Sequence, residues 1–397
     1  MSRGSPSEVL RVFLRLGMTS FGGPIAHLGY FHEEFVVRRE WIDEKSFADL
    51  VALCQLLPGP ASSQVAFALG LRRAGAWGGA AAWAGFTSPS VALMLSFAAG
   101  ATALSSRLGL GLLHGLKLVA VAIVAQAVLA MARSLCPDRQ RAAIATCAAL
   151  VVLSGQSSTL QVGAIALGGL AGFFFCREME AASAGRDVAG VSHLVGAVSL
   201  FAFAMLLLTG PVVTQVWPTP AVAFFEAFYR AGALVFGGGH VVLPLLQSAV
   251  VRSGWVSEDT FLAGYGAAQA VPGPLFSFAA FLGYVASPTR GVVGGLVALV
   301  AIYLPGFLIL VGALPFWDGF QRKAWAQATI RGVNAAVVGL LAAALYNPVW
   351  TNSVRSRADL AVALVCFVLL TAWKAPPLLA VLVGALCGLG LAAAGLA

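Results

Sequence analysis

Charged residues are so sparse in this sequence that the gaps between them dictate the fold. No Asp, Glu, Lys or Arg interrupts 50–71, 74–106, 118–132, 142–176, 188–225, 260–289, 291–317, 332–354, 360–373 or 375–397. A helix that crosses a bilayer needs about 20 apolar residues, range ~17–25, so several gaps hold one span each. The gap 142–176 carries Ser154-Gly155-Gln156-Ser157-Ser158-Thr159 and reads as two short helices. Hydropathy predicts roughly 11–13 spans. Only 10% of the 397 residues are charged and 59% are hydrophobic, against roughly 25% charged in a soluble domain. At a mean hydropathy of +0.89 there is too little polar surface to coat a globule in water. The expected class is an all-α polytopic membrane protein. A soluble enzyme, a disordered chain and a free-standing nucleic-acid binder are excluded. The net charge of +8 is spread among apolar segments, which suits a lipid bilayer with anionic headgroups and an anionic cargo rather than nucleic acid.

Two smaller features frame the chain. Arg11 and Arg15 interrupt the early apolar stretch, so no cleavable signal is expected and the N-terminus is expected on the cytoplasmic side. The six cysteines form no CxxC pair and read as buried small hydrophobes, with disulfides or a metal site as lesser alternatives.

One long repeat organises the sequence. Phe-Leu-Arg-Leu-Gly at 13–17, Phe-Gly-Gly-Pro at 21–24, Trp41, Glu44, Phe47, Gln55 and Pro58-Gly59-Pro60 recur in the second half. There they are Phe-Tyr-Arg-Ala-Gly at 228–232, Phe-Gly-Gly-Gly at 236–239, Trp255, Glu258, Phe261, Gln269 and Pro272-Gly273-Pro274. Pro89 matches Pro305 and Arg141 matches Arg357 at an offset of 216. The units are 13–176 and 228–397. Residues 177–227 supply a polar linker and one extra apolar helix at 194–216. If each unit has an even number of spans, that helix turns the second copy upside down, a common plan for secondary transporters with a site at the midplane. A parallel duplication is the alternative.

The glycine and proline motifs mark broken backbone. The apolar pieces 47–57 and 61–71 flanking Pro58-Gly59-Pro60 each rise only about 16 Å as helix, short of a core of about 30 Å. Each pair is either one helix broken at its middle or a re-entrant hairpin. Backbone of this kind at depth must face protein or a water-filled cavity. Proline suits a first helical turn, so Pro60 and Pro274 read as helix starts. Phe21-Gly22-Gly23-Pro24 and Phe236-Gly237-Gly238-Gly239 form a second pair of breaks, followed by His27 and His240. Four helix N-termini with free N–H groups would make an anion site if they converge. Tight turns at the surface are the alternative.

Polar residues inside apolar runs are the remaining candidates. Lys117, matched by Asn334, is a functional-site candidate by default, or snorkels from a helix end. Arg15 and Arg230 precede the glycine breaks by six residues; they neutralise a bound dianion or anchor at the interface. Arg331 reads as interfacial. Gln55 and Gln269 precede the Pro-Gly-Pro motifs. Ser62, Ser63 and Gln64 follow the first and Ser277 follows the second, so the first unit is expected to contribute more of a binding site. The charged stretch Phe31 to Asp49 reads as one amphipathic interfacial helix. His27 and His240 are proton carriers or structural histidines. GxSxG, HExxH, Walker A and a GxGxxG opening a βαβ unit are missing, and Asp49 and Glu226 are the only candidates for an intramembrane acid–base pair. Pairs such as Gly168/Gly172 and Gly384/Gly388 point to close helix packing.

Phe-Gly-Gly-Pro-Ile-Ala-His at 21–27, His-Glu-Glu-Phe-Val at 32–36, Leu-Cys-Gln-Leu-Leu-Pro-Gly-Pro at 53–60, and Phe-Gly-Gly-Gly-His at 236–240 with Gln269 and Pro272-Gly273-Pro274 resemble the chromate ion transporter family. The resemblance covers nearly the whole chain and its motif order is specific. It implies duplicated, oppositely oriented domains that export chromate across the bacterial inner membrane, giving chromate resistance. It also implies a proton-motive drive without nucleotide or other cofactor, and competition by sulfate. Lys117 sits in a Gly-x-Lys context similar to the family's first domain. The expected site lies between the breaks of both units. Lys117 and Arg15 would supply positive charge, Gln55, Gln64 and Gln269 would donate hydrogen bonds, and Asn334 and Arg230 would lie nearby. Homodimerisation is left open.

Overall fold

The computed structural model describes residues 4–21, 23–101, 107–155, 158–176, 191–236, 239–286, 291–317 and 323–394. Gly22, Gly237 and Gly238 of the expected site lie outside the described residues. All regular structure among the described residues is helical. The first half runs α1 (Pro6–Thr19), α2 (Gly23–His32), α3 (Glu44–Leu56), α4 (Ala61–Ala101), α5 (Arg107–Leu135), α6 (Arg139–Leu153) and α7 (Ser158–Phe175). After α8 (His193–Val216) the same succession returns as α9 (Pro220–Ala233), α10 (Val242–Val250), α11 (Glu258–Ala268), α12 (Phe278–Val285), α13 (Val292–Ala313), α14 (Ala324–Ala344), α15 (Arg357–Thr371) and α16 (Pro377–Ala393). Both halves open on the same cap. Ser5 and Thr219 accept from the N–H groups of Glu8 and Val222, each just ahead of a helix-starting proline.

The short apolar pieces resolve as re-entrant hairpins. Helix α4 folds back on itself at Ala74 and Gly75, where Gly75 takes φ +66°. A methyl at Gly70 would strike the Gly78 carbonyl, although residues eight apart on a straight helix are about 12 Å apart. The first arm of α4 also lies beside α3. Arg73, at the arm's end, stacks 5.0 Å from the Trp41 ring just ahead of α3. So α3 goes in, Pro58-Gly59-Pro60 forms the tip, and the first arm of α4 comes back. Helices α1 and α2 make a second hairpin around the Phe-Gly-Gly break, with Phe13 of α1 stacked 4.9 Å from Phe35 and 5.8 Å from Phe31.

The two halves are inverted. The base of the first hairpin lies at Arg73, where the second arm of α4 begins. The base of the second, Trp255 to Ser257 with Tyr284 and Val285, borders a cavity of about 620 Å³ beside Phe97, near that arm's far end. Some 24 residues of helix separate Arg73 from Phe97, roughly 36 Å, which is a full hydrocarbon thickness. The hairpins therefore enter from opposite faces.

The last two helices of each half embrace the other half. Gly111 and Gly115 of α5 pack on Gly388 and Gly384 of α16, while Gly168 and Gly172 of α7 pack on Ala336 and Gly332 of α14. These small-residue seams let backbones touch, as the GxxxG spacing implies. His114 of α5 reaches Asp359 at the start of α15 at 2.7 Å.

Among the described residues, five helices are long and apolar enough to cross a membrane: α4, α5, α8, α13 and α14 with its continuation to Ser353. Four further apolar helices have 10–17 residues. Gap counting gives more spans because it assigns one crossing to each apolar run, hairpin arms included. Gly196 is the one residue of helix α8 that is buried, and its outer face is open, with Phe201 at 69% and Leu208 at 72%, as expected of a helix that lipid solvates on one side.

Two sequence expectations are corrected. The stretch Phe31 to Asp49 is not one helix. Its end of α2 passes into a π turn (Glu33–Arg38), Glu40 takes φ +51°, and Asp43 caps a new helix through the Ser46 N–H. Glu34 holds Arg38 and Arg39 at 3.0 and 2.7 Å across that turn. The pairing of Arg141 with Arg357 also shifts. Asp138 and Ser356 are the equivalent caps, so Arg139 aligns with Arg357 and Arg141 with Asp359. The cysteines form no disulfide among the described residues, and Cys54, Cys176 and Cys366 are buried.

Candidate functional site

The four breaks meet, and they meet reciprocally. The Gly59 N–H donates to the Val235 carbonyl at 2.7 Å, and the Gly273 N–H donates to the Ser20 carbonyl at 2.9 Å. Val235 and Ser20 directly precede Phe236 and Phe21. Each Pro-Gly-Pro tip is thus tied to the glycine break of the other half. A methyl at Gly239 would touch Pro24 at 3.7 Å, so the two glycine breaks are neighbours as well.

Glycine is required at the tips. Gly59 and Gly273 take φ +119° and +93°, conformations costly for a residue with a Cβ. A methyl at Gly59 would lie 3.0 Å from the Gly306 Cα, and one at Gly273 would lie 3.2 Å from the Phe86 carbonyl. The tips therefore rest on the long helices α13 and α4 one turn or less from Pro305 and Pro89. Pro58, Pro60, Pro272 and Pro274 are buried. Pro274 leads into a helical turn with no side-chain cap, so no side chain takes up its first-turn N–H groups.

Neutral side chains fill the space. The His27 Nδ1 lies 3.4 Å from the Ser62 Oγ, and its ring meets Phe86 edge-on at 5.2 Å. Tyr303 of α13 stands beside Ser63 and Thr87. Ser20 Oγ, His27 Nε2, Gln64 Oε1 and Gln269 Nε2 are buried without a hydrogen-bond partner in the protein, and the Ser63, Thr87 and Tyr303 hydroxyls face one another. Several such atoms around converging helix starts form a polar junction inside an apolar molecule. Buried polar groups ordinarily carry partners, and these atoms have hydrogen-bonding capacity left for a polar guest.

Several expected residues serve elsewhere. The Gln64 amide donates to the Pro58 and Gly306 carbonyls, both at 2.9 Å, so its N–H groups pin the tip and are not free for a ligand. Gln55 and Arg15 are exposed. Arg230 pairs with Glu226 at 3.2 Å on its own helix, which also removes Glu226 as a free acid. The buried Lys117 ends on Asp259, 2.8 Å away and 64% exposed, in the first turn of α11. Arg331 donates to the Cys176 carbonyl at 3.4 Å. His240 meets the Tyr265 hydroxyl at 2.7 Å. Phe21, Gly23, Pro24, Phe236 and Gly239 stand at the breaks, with Ser277 buried behind the second tip. Of the polar side chains at the junction, Ser20, His27, Ser62, Ser63, Gln64 and Thr87 come from the first unit and Gln269 and Tyr303 from the second. Sequence reading missed Thr87, Ser90 and Tyr303. The polar run Thr87-Ser88-Pro89-Ser90 inside an apolar helix was a usable signal for the first two; a lone tyrosine in an apolar run was not.

An inverted pair of hairpin-bearing units meeting at a polar junction defines a multi-pass membrane transporter. The comparisons give the particular family. The chromate transporter profile matches residues 7–173 and 222–389, and the chain belongs to that family. The chromate transport protein of Pseudomonas aeruginosa is 30% identical, covering 83% of this chain and 78% of that one. The chromate transport protein of Cupriavidus metallidurans is 27% identical over 85% and 81%. An uncharacterized transporter of Methanocaldococcus jannaschii, MJ0718, is 25% identical over 86% and 84%. No solved structure matches the chain.

Proposed function

We propose that the chain is a secondary active carrier that exports chromate across the bacterial inner membrane and so confers chromate resistance. The observation that carries the reading is the reciprocal pairing of Gly59 with Val235 and Gly273 with Ser20, which gathers helix N-termini into one polar junction. Such ends attract anions. A tetrahedral oxyanion offers four acceptor oxygens. The donors available to it are first-turn amides after Pro24, Pro60, Gly239 and Pro274, with Ser20, Ser63, Gln269 and Tyr303 around them. Lys117, Arg15 and Arg230 are exposed or engaged elsewhere, so the reading does not draw on their charge.

Inversion of the units supports alternating access, since a two-fold junction can open to either face in turn. The test is radioactive chromate flux in inverted and right-side-out vesicles, with excess sulfate and with a proton uncoupler. Accumulation in inverted vesicles that the uncoupler abolishes is the expected result. Flux of sulfate without chromate would reassign the cargo, and flux of neither would overturn the reading.

A further inference from the structure

The junction has one feature that an anion carrier must resolve. An oxyanion seated there would be matched by dipoles and neutral donors, and a buried charge left unpaired is strongly unfavourable. Among the described residues, His27 is the one ionisable side chain there with an unpartnered ring nitrogen: it is 1% exposed and its Nε2 has no partner. A neutral imidazole offers one donor and one acceptor, and the acceptor nitrogen repels an oxyanion. A protonated ring offers two donors and a charge.

The surroundings single out this ring. Helix α2 packs on α4 and runs into the π turn, with α1 alongside. Charged groups on those elements point elsewhere. Glu8 pairs with Arg73 at 3.1 Å, Glu34 with Arg38 and Arg39, and His32 with Glu44 at 2.7 Å. Arg11, Arg15, Tyr30 and Glu33 are exposed, and Arg72 acts on Asp43. The Ser20 carbonyl accepts a hydrogen bond from the His27 ring, and the Ser62 hydroxyl and Phe86 lie beside it. From the second half, the corresponding His240 already has the Tyr265 hydroxyl at 2.7 Å.

We propose that an oxyanion binds at this junction together with a proton, which passes from water to the His27 ring. The inference rests on the oxyanion-site reading above. Bound anion and bound proton are then thermodynamically linked, and each turnover carries one negative charge fewer than the anion alone.

The test uses the purified full chain in a weakly buffered solution near pH 8, where a histidine of ordinary pKa about 6.5 is mostly neutral. Sulfate, which has no proton of its own at that pH, is titrated in while a pH indicator follows proton uptake. About one proton per bound sulfate is expected. His27→Gln and His27→Asn are expected to weaken binding about tenfold or more and to abolish the uptake. Sulfate binding by the unaltered chain without proton uptake overturns the proposal, as does unchanged uptake in the variants. If neither variant folds, the dissociation constant of the unaltered chain decides. A rise of about tenfold per pH unit above the histidine range supports coupling, and a pH-independent constant overturns it. If neither sulfate nor chromate binds to folded protein, the site reading itself fails and this inference falls with it.

Discussion

At the scale of single residues, the decisive positions are the tip glycines. Gly59 and Gly273 combine left-handed φ with contacts of 3.0 and 3.2 Å for any added methyl. Alanine at either site is expected to destabilise the protein by about 1–3 kcal/mol, read as a lowered unfolding midpoint in detergent. An unchanged midpoint would mean the tips are looser than drawn. Lys117 and Asp259 should behave as a pair. Lys117→Met and Asp259→Asn are each expected to impair transport, with the double variant no worse than the more impaired single one; additive losses would show independent roles. The stability effect should be small, because Asp259 is 64% exposed and screened by solvent. The sequence disclosed which residue types stand at the breaks, since glycine and proline announce backbone geometry directly. It did not disclose the fate of Lys117, Arg230 or Gln64. Their partners, Asp259, Glu226 and Gly306, are set by three-dimensional proximity or by a helix register that composition does not carry.

At the scale of elements, the hairpins were half legible. Short apolar pieces around Pro-Gly-Pro showed that backbone breaks at depth. Broken helix against hairpin turned on contacts such as Trp41 with Arg73, 32 positions apart in the sequence. The stretch Phe31 to Asp49 misled because charge periodicity outweighed the cap at Asp43. That cap is testable. The Ser46 N–H and hydroxyl hold the Asp43 carboxyl below the usual carboxylate range. A depressed carboxyl stabilises the fold above its ordinary pKa and loses that contribution as pH falls through its native value. Asp43→Ala is expected to cost about 1 kcal/mol near neutral pH and little in strong acid, checked by unfolding at both. The glycine seams make a sharper case. Gly115→Leu should break α5 from α16, and Gly332→Leu should break α14 from α7, each by overpacking worth about 1–3 kcal/mol or more. Size-exclusion chromatography would show the loss of compact protein, and wild-type behaviour from both variants would contradict the seams.

At the scale of the whole molecule, inversion and polarity together decide what drives flux. A membrane potential is worth about 2.3 kcal/mol per elementary charge per 100 mV. An inside-negative potential therefore pushes anions outward with no further energy source. If a divalent oxyanion moves with one proton, 100 mV sustains a gradient of about 50-fold; if it moves alone, the figure is about 2,500-fold. Potentials clamped in proteoliposomes distinguish the two, and a gradient that ignores potential would exclude both. The interlocked ends of the halves also have a consequence for how the protein is made. Helix α7 ends at Phe175 and its partner α14 ends at Ala344. At 5–20 residues per second, the partner is completed roughly 10–35 s later. For that interval the nascent first half sits in the bilayer with a bare glycine seam and no helix to close it. Until α14 arrives, only lipid or the insertion machinery can occupy the seam.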